Sequence, residues 1–391
     1  MPDAKDASTP GGEETPVIPY GRQWVDESDI AAVAEALTGD FLTTGSTVGA
    51  FEKALEDATG AQHAVALNSG TSALHAMYAA ADLRAGEEIV TSPLTFAGTA
   101  NAALYLGATV RFVDVSPDTG NIDPAAAAAA VGARTRFVVA IDFGGHPADY
   151  DGLAAALPRD LPVLADAAHS LGATYRGRSV GTLAVASELS FHPVKLITTG
   201  EGGAVVTDDA AIADRARAFR THGIVRDGER QREQGGWWNE QVVLGFNYRL
   251  TDVQAALGAS QLRRMAEFLA RRRAIAARYA AALADIPELE LPSPRRDVEP
   301  AWHLFAVRVR DAARRRAFFD ELRHLGLGVQ VHYIPVYWHP YYRELGYQRG
   351  LCPVAEDIYS RSVSLPVFPK LTDAELDRSI ELVHRAARAT L

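Results

Sequence analysis

The sequence predicts an α/β protein in which a large domain built on a mostly parallel sheet, with helices on both faces, is followed by a smaller C-terminal α/β domain. Three observations carry that prediction. From Ala64 to Asp166, short apolar runs alternate with helix-patterned segments, which is the rhythm of βαβ units. The chain has 391 residues, more than a single hydrophobic core usually serves. Hydrophobic residues make up 48% of it, enough for a large interior.

The elements follow in order. Residues 1–16, rich in Pro, Gly, Glu and Asp with no periodic apolar face, read as a disordered tail. Residues 17–255 are assigned to an N-terminal segment and the large domain, and residues 256–391 to a linking helix and the small domain. Helices are predicted at Ser28–Leu37 and Thr47–Ala58, the second capped by Ser46, with the glycine-bounded loop GDFLTTG between them. Strands and helices then pair: AVALN with GTSALHAMYAA, EEIVTS with TFAGTANAALYLG, TVRFVDV with DPAAAAAAVGA, and FVVAI with DYDGLAAAL. PVLAD closes this series, and the strands ELSFH and GAVVT come soon after. One long helical stretch from about Thr251 to Leu283 leads to the strand WHLFAVRV, a helix from Ala312 to Leu325, the strand VQVHYI, and a last helix after Thr372. Sheets of this kind bind ligands beyond the carboxyl ends of their strands, so strand-end residues are the first site candidates.

Composition excludes several classes. A formal net charge of -10 argues against nucleic-acid binding, which needs clustered cations to displace counterions from phosphates. The runs Arg271–Arg273 and Arg314–Arg316 fall in helical stretches and read as solvated faces. Cys352 is the single cysteine, so no internal disulfide forms, and no set of residues has metal-ligand spacing. The N-terminus lacks the apolar core of a signal peptide, and no apolar run approaches the roughly 20 residues of a membrane span. A cytoplasmic protein is expected. There is no repeated unit and no heptad pattern.

Three segments could carry chemistry. In NSGTSALH, Asn68 ends a strand, Gly70 permits a tight turn, and Thr71 and Ser72 open a helix. Exposed amides, the positive end of the helix dipole and two hydroxyls make an anion site, although taken alone the motif is better explained by simple helix capping. In LADAAHS, Asp166 ends a strand and His169 follows. A strand-end aspartate facing a crevice could hold a protonated ring nitrogen, or cap the next turn. In SFHPVKLITTGEGG, Lys195 follows a strand and precedes a glycine loop. It could be a surface charge, a phosphate hook or a nucleophile. A P-loop places its lysine after the glycines, and a dinucleotide fingerprint opens a helix where GEGG precedes a strand. A lysine, an upstream strand-end aspartate and a phosphate cradle together match the needs of pyridoxal phosphate.

These blocks resemble the DegT-type sugar aminotransferases, which are fold-type-I pyridoxal phosphate enzymes of the aspartate-aminotransferase-like fold. The resemblance runs from about Ile18 to Pro369 and is carried by NSGTSALH, TFAGTAN, DFGGHPADYD, LADAAHSLGA, SFHPVKLITTGEGG, LGFNYRLTDVQAALGASQL, WHLF and VHYIPVY. It implies that Lys195 forms the Schiff base with the cofactor and later moves the proton. It implies that Asp166 pairs with the pyridine nitrogen and that His169 sits near the phenolic oxygen. Phe96 falls at the position of an aromatic that stacks on the ring. Gly70, Thr71, Ser72 and Ser190 would form the phosphate site, and Asn247 would reach the phosphate of a neighbouring subunit in a homodimer with shared sites. Some relatives that dehydrate a sugar at C3 carry histidine in place of the lysine, so Lys195 points to amino transfer.

Within the family, IPYGRQWVDESD, GDFLTTG and VQVHYIPVYWHPYYRELGY look most like enzymes that aminate C4 of a nucleotide-linked 4-keto-6-deoxyhexose, such as the UDP-4-amino-4,6-dideoxy-N-acetyl-altrosamine transaminases. Glutamate is the donor this resemblance implies, and dTDP or UDP the nucleotide. Tyr20, Thr44 and His332 are candidate substrate contacts on loops; buried packing is the alternative for Tyr20 and His332. Two other readings compete: amination at C3 of a 3-keto sugar, and a non-catalytic cofactor-binding regulator. The second would need a basic DNA-binding module that no segment supplies.

Overall fold

In the computed structural model, which describes residues 17–391, seven strands form the central sheet: β1 (His63–Leu67), β2 (Glu88–Thr91), β3 (Thr109–Phe112), β4 (Thr135–Ile141), β5 (Val163–Asp166), β6 (Ala186–Ser190) and β7 (Gly203–Thr207). Their spatial order is β1-β7-β6-β5-β4-β2-β3. The pairs β2–β3, β2–β4, β4–β5 and β5–β6 are parallel, whereas β7 runs antiparallel to both β6 and β1. The expected tail, residues 1–16, lies outside the described residues.

Alternation along each strand divides the core into two layers. In β4, Phe137, Val139 and Ile141 pack with the helices Gly70–Ala80, Gly98–Tyr105 and Ala210–Arg220. Val138 and Ala140 face the opposite layer, where Phe51, Leu55, Leu153 and Ala255 cover them. Both faces of the central strands are therefore dry, whereas the edge strand β3 alternates, with Thr109 and Arg111 exposed. A second, three-stranded sheet pairs β8 (Leu289–Glu290), β9 (Phe305–Val309) and β10 (Ser362–Leu365) in the order β8-β9-β10. It packs with Ile275, Tyr279, Phe318, Leu376 and Val383 in a third core.

Several sequence expectations need correction. Ser46 is the first residue of the helix Ser46–Thr59 and does not cap it. Gly45 occupies the cap, and the Asp252 carboxylate accepts from the amides of Gly45, Thr47 and Val48. The stretch 251–283 is two helices, Asp252–Leu262 and Met265–Ala282. At the break, the Arg264 guanidinium donates to Trp24 O at 2.7 Å and lies 4.7 Å from the Phe268 ring. No Gly or Pro marks that break, so tertiary contacts set it. The first of these helices also crosses the division drawn at residues 255 and 256. VQVHYI is not a strand; only Gln330 bridges to Ser364. His332 and Tyr333, adjacent in sequence, both line one cavity, which the two-residue alternation of a strand forbids.

Candidate active site

The parallel register of β4, β5 and β6 sets Ile141, Asp166 and Glu188 side by side at the carboxyl end of the sheet. Beyond them lies a cavity of about 440 Å³ lined by Gly70, Thr71, Phe96, Asp166, His169, Ser190, Lys195, Tyr20 and His332, among others. The chain thus gathers most of the residues picked from sequence. Three fall outside this lining: Ser72, Thr44 and Asn247.

Each exception has a local cause. Ser69 and Ser72 form a capping box, Ser69 Oγ accepting from the Ser72 amide at 3.0 Å and Ser72 Oγ donating to Ser69 O at 2.8 Å. Ser72 is therefore occupied as a cap, and Ser69 takes its place in the cavity wall. Thr44 and Asn247 are exposed on loops of the same chain that pair with other segments, Thr43 with Thr251 and Asn247 with Thr221.

Lys195 lies five positions beyond the end of β6, in a tight turn where its amide donates to His192 O at 2.8 Å. Burial lowers its ammonium pKa from 10.5 to about 8, with the Arg272 charge adding to the fall and Glu188 and Asp166 opposing it. A lysine so poised carries a usable fraction of free amine near neutrality. Arg272, itself buried, fixes this loop from beneath. It donates to Val194 O at 3.3 Å, Lys195 O at 3.5 Å, Trp302 O at 3.2 Å and Val367 O at 2.7 Å.

Asp166 is held by hydroxyls rather than by cations. Thr99 Oγ1 donates to its Oδ2 at 2.5 Å, and the Thr95 hydroxyl backs Thr99 at 2.7 Å. The Ala168 amide reaches Oδ1 at 3.3 Å. His169 stacks on His303 with ring centroids 4.2 Å apart, and its Nε2 meets the Tyr333 hydroxyl at 3.1 Å. Burial first, then the Lys195 charge, hold His169 well below the ordinary histidine range, so its ring is neutral. His332 bonds Ser364 Oγ at 2.9 Å and is likewise pushed down by burial, to about 3.

Sequence reasoning missed Thr99, Ser69, Glu188, His303 and Tyr333 in this wall. The last two lie in the quoted WHLF and VHYIPVY blocks, and Thr99 in TFAGTAN. For Glu188 the signal was a lone carboxylate in the otherwise uncharged strand run ASELS.

The sequence profile of the DegT/DnrJ/EryC1/StrS aminotransferase family matches residues 23–384. This chain belongs to that family. It is 39% identical over 373 residues to the spore coat polysaccharide biosynthesis protein SpsC of Bacillus subtilis, covering 94% of this chain and 96% of SpsC. The structure of Helicobacter pylori PseC, an aminotransferase involved in the biosynthesis of pseudoaminic acid, superposes with a TM-score of 0.90 at 31% identity, covering 95% of this chain and all of PseC. The putative sugar aminotransferase Spr1654 from Streptococcus pneumoniae, in its PMP form, gives a TM-score of 0.91 at 27% identity over 96% of this chain and all of Spr1654.

As a member of this family, the chain is a sugar aminotransferase that uses pyridoxal phosphate. Its own residues fit that cofactor. A Cβ on Gly70 would lie 2.6 Å from Glu188 Oε1 and 3.0 Å from Ser190 Oγ, so the space is kept open by the absence of a side chain. His169 Nδ1 is buried without a partner, a polar atom facing a cavity that a polar ring would fill. Phe96, 68% exposed although it lines the cavity, offers a free aromatic face.

Proposed function

We propose that this aminotransferase aminates C4 of a nucleotide-linked 4-keto-6-deoxyhexose, with dTDP or UDP as the nucleotide and L-glutamate as the amino donor. Lys195 carries the reading: a lysine lowered to about 8 stands in the same cavity as an aspartate whose charge is held by Thr99. Against a regulator stands the charge balance: the net charge is -10 and no segment of the sequence supplies a basic DNA-binding module. The roles of PseC and SpsC, in pseudoaminic acid and spore coat polysaccharide biosynthesis, favour an amino sugar as product.

When bound, pyridoxal phosphate supplies an electron-accepting ring that stabilises negative charge on the carbon losing its proton. In this reading Asp166 keeps a proton on the ring nitrogen through a charge-assisted hydrogen bond. Ser190 Oγ, Thr71 Oγ1 and the first amides of the helix Gly70–Ala80 hold the phosphate, where the helix dipole favours an anion. Phe96 covers one face and keeps water from it. Lys195 Nζ takes the proton from one carbon and returns it to another, a role suited to a pKa near the working pH. Neutral His169, bonded to Tyr333, can donate a hydrogen bond without adding charge.

A neighbouring cavity of about 530 Å³ shares Thr95, Phe96, His332 and Tyr333 with the first and continues past Gln330, His339 and Tyr341. Its size and polar-aromatic wall suit the sugar nucleotide. A homodimer with shared sites is part of the proposal. Asn247 follows the exposed apolar side chains Val242, Leu244 and Phe246, and Phe41 and Leu42 precede Thr44, a composition that favours burial by a second copy.

The pyridoxamine-loaded protein mixed with dTDP- and UDP-linked 4-keto and 3-keto sugars tests the reading through the cofactor spectrum. Conversion only with a 4-keto sugar, restored by glutamate, is the expected result. Conversion with a 3-keto sugar alone would move the reaction to C3, and none with any sugar would end the reading.

A further inference from the structure

Among the ionisable side chains of the cavity wall that the chemistry above does not use, Glu188 is the buried carboxylate. Glu188 is 1% exposed, and both of its carboxyl oxygens lack a hydrogen-bond donor. It is the register mate of Asp166 on the adjacent parallel strand, so the two side chains leave the sheet on the same face. Register pairing on adjacent strands sets the two carboxyl-bearing residues side by side, and the Asp166 charge bears on Glu188. Gly70 leaves the room in which Glu188 Oε1 sits.

Two buried carboxylates side by side do not both ionise. Asp166 already accepts from Thr99 and from the Ala168 amide, so both of its oxygens serve as acceptors. Glu188 has no such bonds. The titratable groups facing it are Asp166 on β5, Lys195 beyond β6 and Tyr78 on the helix Gly70–Ala80. Burial and the Asp166 charge both favour its neutral form, and only Lys195 opposes them.

We propose that Glu188 is a neutral carboxylic acid that donates a hydrogen bond to Asp166, and so acts as a positioning residue setting the charge Asp166 presents to the cofactor ring nitrogen. The inference depends on Asp166 being the partner of that nitrogen. A donated hydrogen bond disperses part of the Asp166 charge and fixes the carboxylate in the plane where its remaining lone pair faces the cavity. The unpartnered oxygens are thereby explained: one carries the proton, and the acid needs Asp166 as its acceptor.

The test uses holoenzyme and reads the pH titration of the visible absorbance of the lysine-bound cofactor, with no turnover involved. Glu188→Leu removes the donor, leaves Asp166 more negative and favours the protonated lysine–cofactor nitrogen, so the midpoint should rise by about half a pH unit or more. Glu188→Gln keeps an N–H donor and should hold the wild-type midpoint. The infrared carbonyl band of a neutral carboxylic acid at pH 7 should be present in wild type and absent in E188Q. If E188L does not fold, E188Q and the infrared band decide alone. An E188L midpoint equal to wild type, an E188Q midpoint displaced like that of E188L, or no acid band lost in E188Q would each overturn the proposal. Asp166→Asn separates this from the site assignment: if D166N binds and titrates as wild type, the assignment of Asp166 fails. If D166N is impaired while the Glu188 variants are silent, only the role of Glu188 fails.

Discussion

Replacing Lys195 by methionine should make the cofactor-free protein more stable, although it removes the reactive group. Methionine keeps most of the side chain's length and apolar stem. The lysine pKa is 10.5 when solvated and about 8 in the fold, so a charged Lys195 costs the folded state about 3 kcal/mol at pH 7. Because the folded pKa is the lower one, the unfolded chain binds more protons between the two values, and the wild-type protein gains stability as pH rises through that window. At pH 9.5 the cost has fallen to about 1 kcal/mol. Urea unfolding of both cofactor-free proteins at pH 7 and 9.5 measures the difference, which should shrink by about 2 kcal/mol between them. Glu188 also feels the Lys195 charge, so both proteins are measured in an E188Q background as well. Parallel stability profiles would show that Lys195 is solvated, and the poised amine would be lost with it. Activity of K195M should fall at least about a thousandfold whatever the stability result.

Thr99→Val removes the hydroxyl that donates to Asp166 at 2.5 Å, a bond to a buried charge, so cofactor affinity by spectral titration should fall about tenfold while the fold persists. Gly70→Ala places a methyl 2.6 Å from Glu188 Oε1 and should weaken cofactor binding by about tenfold through overpacking; unchanged affinity would show that the phosphate does not lie there. Arg272→Met leaves the carbonyls of Val194, Trp302 and Val367 without their buried donor and should lower stability by more than about 3 kcal/mol in urea unfolding. With the Arg272 charge gone, the Lys195 pKa should also rise.

The layered sheet was readable because its central strands are dry on both faces: FVVAI and PVLAD need no alternation to be recognised, only their length and their bounding turns. The lysine, the aspartate and the phosphate turn were readable for a different reason, since strand ends and helix starts are where such sheets keep their chemistry. What failed was local structure that depends on distant partners. Ser46 looked like a cap until Asp252, far along the chain, supplied the acceptor for that helix start. The break near Arg264 has no breaker residue and comes from contacts to Trp24 and Phe268. VQVHYI has the composition of a strand, but its central residues serve the cavity instead of a pleat. In the site, Thr99 and Glu188 matter through their placement beside Asp166, which only the register of β5 and β6 and the approach of a helix reveal.

The buried Arg272 makes a mechanical link. One terminal nitrogen of its guanidinium grips the turn that carries Lys195, and the other grips the backbone before β9 and after β10. The amine and the second sheet are therefore riveted to one stiff plate, and any swing of the smaller sheet would drag the reactive nitrogen with it. The cavity wall at Gln330 and His332 is bonded to Ser364 of that same sheet, so the far side of the cleft is tied to the plate that carries the lysine.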